Sequence, residues 1–562
     1  MKLQSTLLSL AVIAGLSAAS AAEAGVLQAR AAVAERAQSL LASAPAALRR
    51  ASGDAFVARD VIVDADGTEH VRFDRTYNGL PVIGGDTVVQ VRNGRLGTIS
   101  QTLRSAARPA LKPQVSADQA IVEAGARFGS QFQGAPSARL VVYALNTTPT
   151  LAYEVVFNGI KADQTPTEMH YIVDARSGRV LNQWDGIHVT RPGGGQAVPA
   201  GAFAGGIQAA RPGGGSSGCA GTAATGTGRT ILAGNVTLTT TRCSATSFEL
   251  RDTTRGGGQT NNMAMKTAGM GTVFTDTDNI WGNNLTTDAQ SAAADAHYGV
   301  ALTWDFYKNI FGRLGIANNG VGAVSRVHYG RNYANAFWSD ACFCMTFGDG
   351  DNGATIYPLV SIDVAAHEMT HGVTSRTADL IYSGESGGLN EATSDIFGTM
   401  VEYYANDPAD PADYVIGEQL FPNNANMRKA IRWMFKPSLD GSSPDCYYSG
   451  IGSLDVHYSS GVANHFFYLL AEGAVVPAGF GPGSWANLTP ASLVCNGNTG
   501  LTGIGRSAAQ QIWYRALTVY MTSGTNYAAA RTATLNAAAD LYGNGSPQYN
   551  AVAAAWSAVN VN

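Results

Sequence analysis

The run His367-Glu368-Met369-Thr370-His371 constrains this chain more than any other stretch. On a helix, positions i and i+4 lie one above the other, so two imidazoles spaced this way reach a single ion. Glu368 sits about 100° round from His367 at 3.6 residues per turn. It flanks such an ion without having to bind it and is free to take a proton from an attacking water. The preceding Ile362-Asp363-Val364-Ala365-Ala366 is helical and apolar on one side, as the motif requires. A catalytic zinc takes a third protein ligand and keeps one position open. Twenty residues past His371, Gly388-Leu389-Asn390-Glu391-Ala392-Thr393-Ser394-Asp395 opens a further helix with Glu391 and Asp395 on one face. Glu391 is the expected third ligand. Asp395 and Asn390 are expected to orient the ligand histidines through their second ring nitrogens.

With these residues in place, the chain resembles the thermolysin family of metallopeptidases. The likeness runs almost unbroken from Asp363 through Glu418, includes Gly384-Glu385-Ser386-Gly387-Gly388, and spans residues 220–562. It implies zinc held by His367, His371 and Glu391, with Glu368 as general base. Asn335-Ala336-Phe337-Trp338 is similar to the family strand that holds the peptide, so Asn335 and Ala336 are expected substrate contacts. In Asp455-Val456-His457-Tyr458-Ser459-Ser460-Gly461 the likeness implies that His457, oriented by Asp455, works with Tyr382 to stabilise the oxyanion. Arg432 matches the family arginine that binds a substrate carbonyl. Ile356, Leu359, Val364 and Ile431 match positions that line an apolar pocket, which implies cleavage on the amino side of bulky hydrophobic residues. Asp363, Glu402, Asp413 and Glu418, with the backbone carbonyl of Val415, match positions that bind calcium, and carboxylates are the hard donors that ion takes. At least one structural calcium ion is expected beside the catalytic zinc.

The segments before residue 220 read as a pro-region. Lys2 and the short apolar stretch Leu7–Leu16, followed by Ser20-Ala21-Ala22, have the grammar of a signal peptide cut after Ala22. The apolar stretch is too short to span a bilayer, so the mature protein is expected outside the cell. His70-Val71-Arg72-Phe73 and Asp86-Thr87-Val88-Val89-Gln90-Val91 alternate like strands, with Asn78-Gly79 as a turn between them. With Tyr77–Val82 and Gly84-Gly85-Asp86 they resemble the fungalysin/thermolysin propeptide module. Residues 115–185 more loosely resemble the PepSY propeptide module, with a helix at Ala117–Phe128 capped by Ser116 and strands at Leu140–Leu145, Leu151–Phe157 and Met169–Val173. The resemblance implies a folding chaperone and inhibitor. Arg-Pro-Gly-Gly-Gly occurs at 191–195 and again at 211–215, within a Gly-, Ala- and Pro-dominated linker where a protease would cut.

The expected architecture is therefore α+β. A signal peptide (1–22), two propeptide units (23–110 and 111–190) and a linker (191–218) precede a two-lobed catalytic domain. Its lobes are β-rich (219–372, ending in the zinc helix) and helical (373–562). A net charge of −5 leaves no basic footprint for nucleic acid. No later stretch is apolar enough to anchor the chain in a membrane, and nothing demands more than a monomer. Among six cysteines, Cys219–Cys243 and Cys446–Cys495 are the expected pairs, and Cys342/Cys344 stays open. The rival reading is a secreted metal-binding or inhibitory scaffold without activity. It leaves Glu368 without a purpose.

Overall fold

The computed structural model describes residues 21–191 and 218–562. The expected signal segment up to Ser20 and linker residues 192–217, with most of the repeated Arg-Pro-Gly-Gly-Gly, lie outside them.

In the first unit, Glu69–Tyr77 and Thr87–Arg92 pair antiparallel, with Val71 opposite Val89. Asn78 and Gly79 both take positive φ, the backbone that a tight two-residue hairpin demands. The period of two places Val71, Phe73, Val89 and Val91 on one face, against Val33 and Ala37 of the helix Ala21–Leu40. In the second unit, Ser116 and Gln119 form a capping box that opens the helix Ala117–Gly125. That helix lies on the strands Thr150–Ile160 and Pro166–Asp174. The two units share one ten-stranded sheet, because Leu80–Ile83 pairs in parallel with Ser137–Tyr143.

The remainder is a two-lobed α+β body, as expected. In the β-rich lobe a five-stranded sheet and six strands of a seven-stranded sheet, whose seventh is Ile187–Val189, surround the helix Ala289–Phe311. Asp288 caps its first turn, and Gly312 ends it in the left-handed conformation. The helical lobe contains Gly384–Ala405, Gly461–Glu472, Arg506–Arg515, Tyr527–Tyr542 and Pro547–Ala558. A single apolar core runs through both lobes, from Trp281 and Trp338 to Phe397, Trp513 and Trp556. Between them lies the helix Ile362–Ser375, buried along its whole length. The sequence predicts one apolar side for it. The structure covers its polar face as well, because both lobes close on it. Gly398 lets the helix Gly384–Ala405 approach it, since a Cβ there would stand 2.8 Å from the Asp363 carbonyl oxygen.

All six cysteines are paired. Cys219–Cys243 and Cys446–Cys495 form as expected. Cys342 and Cys344, left open by the sequence, are also bridged with their Cα atoms 5.2 Å apart. Phe343 between them adopts φ +52°, which turns the chain back on itself.

The pro-region docks on the helical lobe through buried charge. Arg72 Nη2 donates to the carbonyls of Leu517, Thr518 and Met521, at the end of the helical run 506–520. Those are carbonyls a helix terminus leaves without partners. Asp86 accepts from Ser523 N–H and hydroxyl, and Arg515 forks onto Asp64. On the other lobe, Gln164 exchanges hydrogen bonds with the backbone of Arg331.

Candidate active site

The two lobes bring the helical histidines and the next helix's carboxylate together. His367 Nε2 and His371 Nε2 face each other at 3.0 Å. Glu391 lies 3.5 Å from the first and 3.3 Å from the second. The outer nitrogens are committed elsewhere. His367 Nδ1 is 2.9 Å from Asp395 Oδ1, and His371 Nδ1 is 2.8 Å from Asn390 Oδ1, whose amide nitrogen donates to the Leu380 carbonyl. Protons on both Nδ1 atoms leave two lone pairs and a carboxylate aimed at one point, and Glu391 Oε2 has no hydrogen-bond partner. Three buried acceptors converging on one point, with only the Tyr382 hydroxyl donating to Glu391 Oε1, repel one another unless a cation sits between them. Burial drives the pKa of His367 down to about 4 and of His371 to about 3, so both imidazoles are in the neutral form that binds metal. The donor set fits zinc, with two nitrogens and one oxygen.

Around this centre the charges are ordered. Arg432 holds Asp395 in a fork, Nε to Oδ2 at 2.7 Å and Nη2 to Oδ1 at 2.6 Å. Burial alone would raise the Asp395 carboxyl, but Arg432 and His367 outweigh it and hold it below the usual carboxylate range. Glu368 is fully buried beside the centre, and that burial pushes its carboxyl well above the ordinary value. Tyr382 hydroxyl touches Glu391 and lies 3.3 Å from His457 Nε2. Asp455 caps the short helix Val456–Ser459 and also faces His457 Nδ1. Burial opposes the His457 charge, yet Glu391 and Asp455 raise its pKa overall.

A peptide already lies in this cleft. Ile187–Val189, the last strand of the pro-region, pairs antiparallel with Ala336–Ser339. His188 stacks on Tyr382 with ring centres 4.3 Å apart and meets His371 at 4.9 Å. Val189 O is 2.7 Å from His457 Nε2, Thr190 O accepts from Arg432 Nη1 at 2.7 Å, and Thr190 hydroxyl donates to Glu368. Asn335 bonds the N–H and the carbonyl of Arg191.

Most residues expected from the sequence thus meet in one place: His367, Glu368, His371, Tyr382, Asn390, Glu391, Asp395, Arg432, His457, Asn335 and Ala336. Ile431 lines an adjoining cavity of about 530 Å³ with Arg191 and His457. Ile356, Leu359 and Val364 are packed in the main core. Sequence reasoning overlooked His188 and Thr190, which carry no recognisable spacing, and Asn464, whose amide donates to Asp395 Oδ2 at 2.7 Å.

A second acidic cluster lies at the other end of the zinc helix. Single oxygens of Asp363, Glu402 and Glu418 come within 4.8 Å of one another, all buried. Asp363 Oδ2 accepts from Gly417 N–H, whereas Glu402 Oε1, Glu418 Oε2 and Asp413 Oδ2 are unpartnered. Asp413 also caps the Val415 N–H. Asp410, which the sequence reading missed, is 1% exposed with both oxygens unpartnered. Burial, followed by mutual repulsion, pushes Glu402, Asp410 and Glu418 well above ordinary carboxyl values and Asp413 to about 7.

The model of the thermolysin metallopeptidase catalytic domain matches residues 225–375, and that of its alpha-helical domain matches 378–561. The chain belongs to the thermolysin family of zinc metalloendopeptidases. The fungalysin/thermolysin propeptide motif matches 54–103. Over 516 residues the chain is 36% identical to thermolysin from Bacillus sp. (strain EA1), covering 89% of this chain and 84% of that protein. It is 46% identical to the transglutaminase-activating metalloprotease of Streptomyces mobaraensis, across 90% of this chain but only 61% of that longer protein. Among solved structures, the precursor of protealysin, a metalloproteinase from Serratia proteamaculans, aligns with a TM-score of 0.42 at 28% identity, over 54% of this chain and 87% of that one. Family membership gives the triad His367, His371 and Glu391 its metal, a catalytic zinc.

Proposed function

We propose that the chain is the precursor of a secreted endopeptidase that hydrolyses peptide bonds on the amino side of bulky hydrophobic residues. The observation that carries this reading is the extended peptide seated between Glu368, His457 and Arg432. Zinc, when bound by His367, His371 and Glu391, acidifies water and polarises a carbonyl. The chain's own groups do the rest. Asn335 and the edge strand Ala336–Ser339 align the substrate backbone, and Arg432 grips the carbonyl that follows the scissile bond. Glu368 takes the proton from the attacking water and delivers it to the leaving nitrogen; its raised pKa suits a group that must hold a proton between those steps. His457, whose charged form Glu391 and Asp455 favour, donates from Nε2 to the developing oxyanion while its Nδ1–H faces Asp455, and Tyr382 hydroxyl donates beside it. The hydrophobic preference is supported by the apolar side chain of Ile431 at the cleft.

Residues 1–22 act as the export signal, 23–190 as chaperone and inhibitor with a PepSY-like second unit, and 191–218 as the processing linker. Among the described residues no helix is long and apolar enough to cross a membrane, and the mature enzyme acts as a monomer. Calcium occupies the buried acids Asp363, Glu402 and Glu418 and half-buried Asp413 with the Val415 carbonyl, and buried Asp410 joins them. Their unpartnered oxygens support this, because so many neighbouring carboxylates tolerate burial only around a cation.

Two experiments test these assignments. Wild-type precursor should trim itself and digest casein, with cuts mapped by mass spectrometry falling before large apolar residues. Glu368→Ala should bind zinc and remain full length and inert; a wild type that binds zinc but cleaves nothing after its pro-region is removed favours the scaffold. Calcium removal should lower the melting temperature of zinc-loaded enzyme, following ligand linkage, and Glu402→Gln should abolish that calcium response. An unchanged melting curve on chelation would count against the calcium assignment.

A further inference from the structure

Arg432 donates to the Thr190 carbonyl, so Thr190 stands where the residue after a scissile bond stands, and Arg191 holds the place beyond it. Asn335 fixes the backbone at that second place, accepting the Arg191 N–H at 3.1 Å and donating to its carbonyl at 3.0 Å. Neighbouring side chains of an extended peptide leave it on opposite faces. Thr190 meets Glu368, whereas Arg191 lines the open cavity of about 530 Å³ beside the cleft. Phe421 and Ile431 give that cavity an apolar wall, and exposed Arg428 and Lys429 also line it. Among the described residues neither cation is paired with a carboxylate. The Arg428 guanidinium lies over the Trp485 ring at 5.9 Å, and Lys429 is held through its backbone N–H by Asn424. Asp440, the one acid on the wall among the described residues, is already taken by the N–H groups of Ser442 and Ser443 and the Ser443 hydroxyl. Arg432 and His457, at the catalytic end, have their charges met by Asp395 and Asp455.

We propose that this cavity reads the second residue after the cut and favours glutamate or aspartate there, so that the substrates are protein segments in which a bulky hydrophobic residue is followed by an acidic one; this deepens, and rests on, the peptidase reading above. The acidic side chain lays its methylene stem on Phe421 and Ile431 and turns its carboxylate to Arg428 and Lys429. A lysine or arginine at the same place meets two like charges. Arg191 is such an occupant: no acid among the described residues receives its guanidinium, which donates to the Ala334 carbonyl at 3.3 Å. Burial, and after it the charge of Arg432, lowers the Arg191 pKa. An exposed ion pair is worth up to about fivefold in binding, and the two cations act together. Because both stand in water, salt screens them.

The test uses zinc-loaded enzyme freed of its pro-region by an added and then inactivated protease. Blocked peptides, identical but for glutamate, glutamine or lysine directly after a single leucine, are compared by kcat/KM, with the cut before leucine verified by mass spectrometry. Glutamate should exceed lysine by roughly tenfold and glutamine by roughly threefold at low salt, and both ratios should shrink at high salt. In the double variant Arg428→Gln, Lys429→Gln the glutamate-to-lysine ratio should fall to about one. A lysine peptide cut as fast as the glutamate peptide by the wild type overturns the assignment, as does a glutamate preference that the double variant keeps. Cuts placed elsewhere in all the peptides overturn it too. Casein digestion by the same preparation separates the two ideas. Casein hydrolysis with no acidic preference sinks this inference alone, whereas no hydrolysis of casein or of any peptide sinks the peptidase reading and this inference together.

Discussion

Asp395 accepts from both ends of the Arg432 fork, receives Asn464, and faces His367 Nδ1. It joins the metal centre to the arginine that grips the peptide, so one substitution should disturb both. In Asp395→Asn, Arg432 loses its counter-charge while remaining 3% exposed. Breaking a buried pair in this way costs about 3–5 kcal/mol, measurable by urea denaturation. Losing the negative charge behind His367, though the amide oxygen can still accept from Nδ1, should also weaken zinc binding by roughly 10–100-fold, measurable by chelator competition. Unaltered zinc affinity would show that Asp395 serves Arg432 alone. Glu391, His367 and His371 were legible in the sequence because helical spacing is a local property. Asn464 was not, because an asparagine on an apolar helix has no signature until its neighbour across the core is known.

Individual elements follow their sequence signals closely where the signal is periodic or capped. The helix Ala289–Phe311 appears between its Asp288 cap and Gly312, and the helix after Ser116 stops at Gly125, slightly short of the predicted Phe128. The run 506–520 is different, because its last carbonyls are satisfied by Arg72 from a separate part of the chain. Arg72→Met should leave them buried without donors and lose about 3 kcal/mol or more, at roughly 1.5–3 kcal/mol for each charge-assisted bond. Hydrogen exchange of the Glu368→Ala precursor should show faster exchange confined to residues 516–523 and the facing strands. Exchange that stays at the parental level would mean that the remaining contacts, Asp86–Ser523 and Asp64–Arg515 among them, carry the docking without Arg72.

At the scale of the whole molecule, the segment before the linker is both a docked body and an occupant of the cleft, and on the inhibitory role proposed for it, its stability would set how long the cleft stays covered. His170 stacks on Trp184 between Glu154 and Glu168. Burial disfavours its charge, but the two glutamates outweigh burial and raise its pKa to about 9. A histidine raised in the folded state contributes stability that is full below its unfolded value near 6.5 and is lost as pH climbs through about 9. The Glu368→Ala precursor should therefore melt at lower temperature as pH rises across that window. Adding His170→Gln should flatten the dependence; an equal slope in both chains would exclude His170 as its source.

The sequence by itself determined the metal triad, its base, the α+β class and the two expected disulfides, because each depends on spacing along one helix or on proximity along the chain. Only the tertiary structure decided that Thr190 meets Glu368, 178 positions away, that Asp410 joins the buried acids, and that the strands on either side of the helix Ala117–Gly125 share one sheet. Such contacts form where separately folded surfaces meet. Side chains brought together across a cleft need no common period, so nothing in the order of the residues announces them.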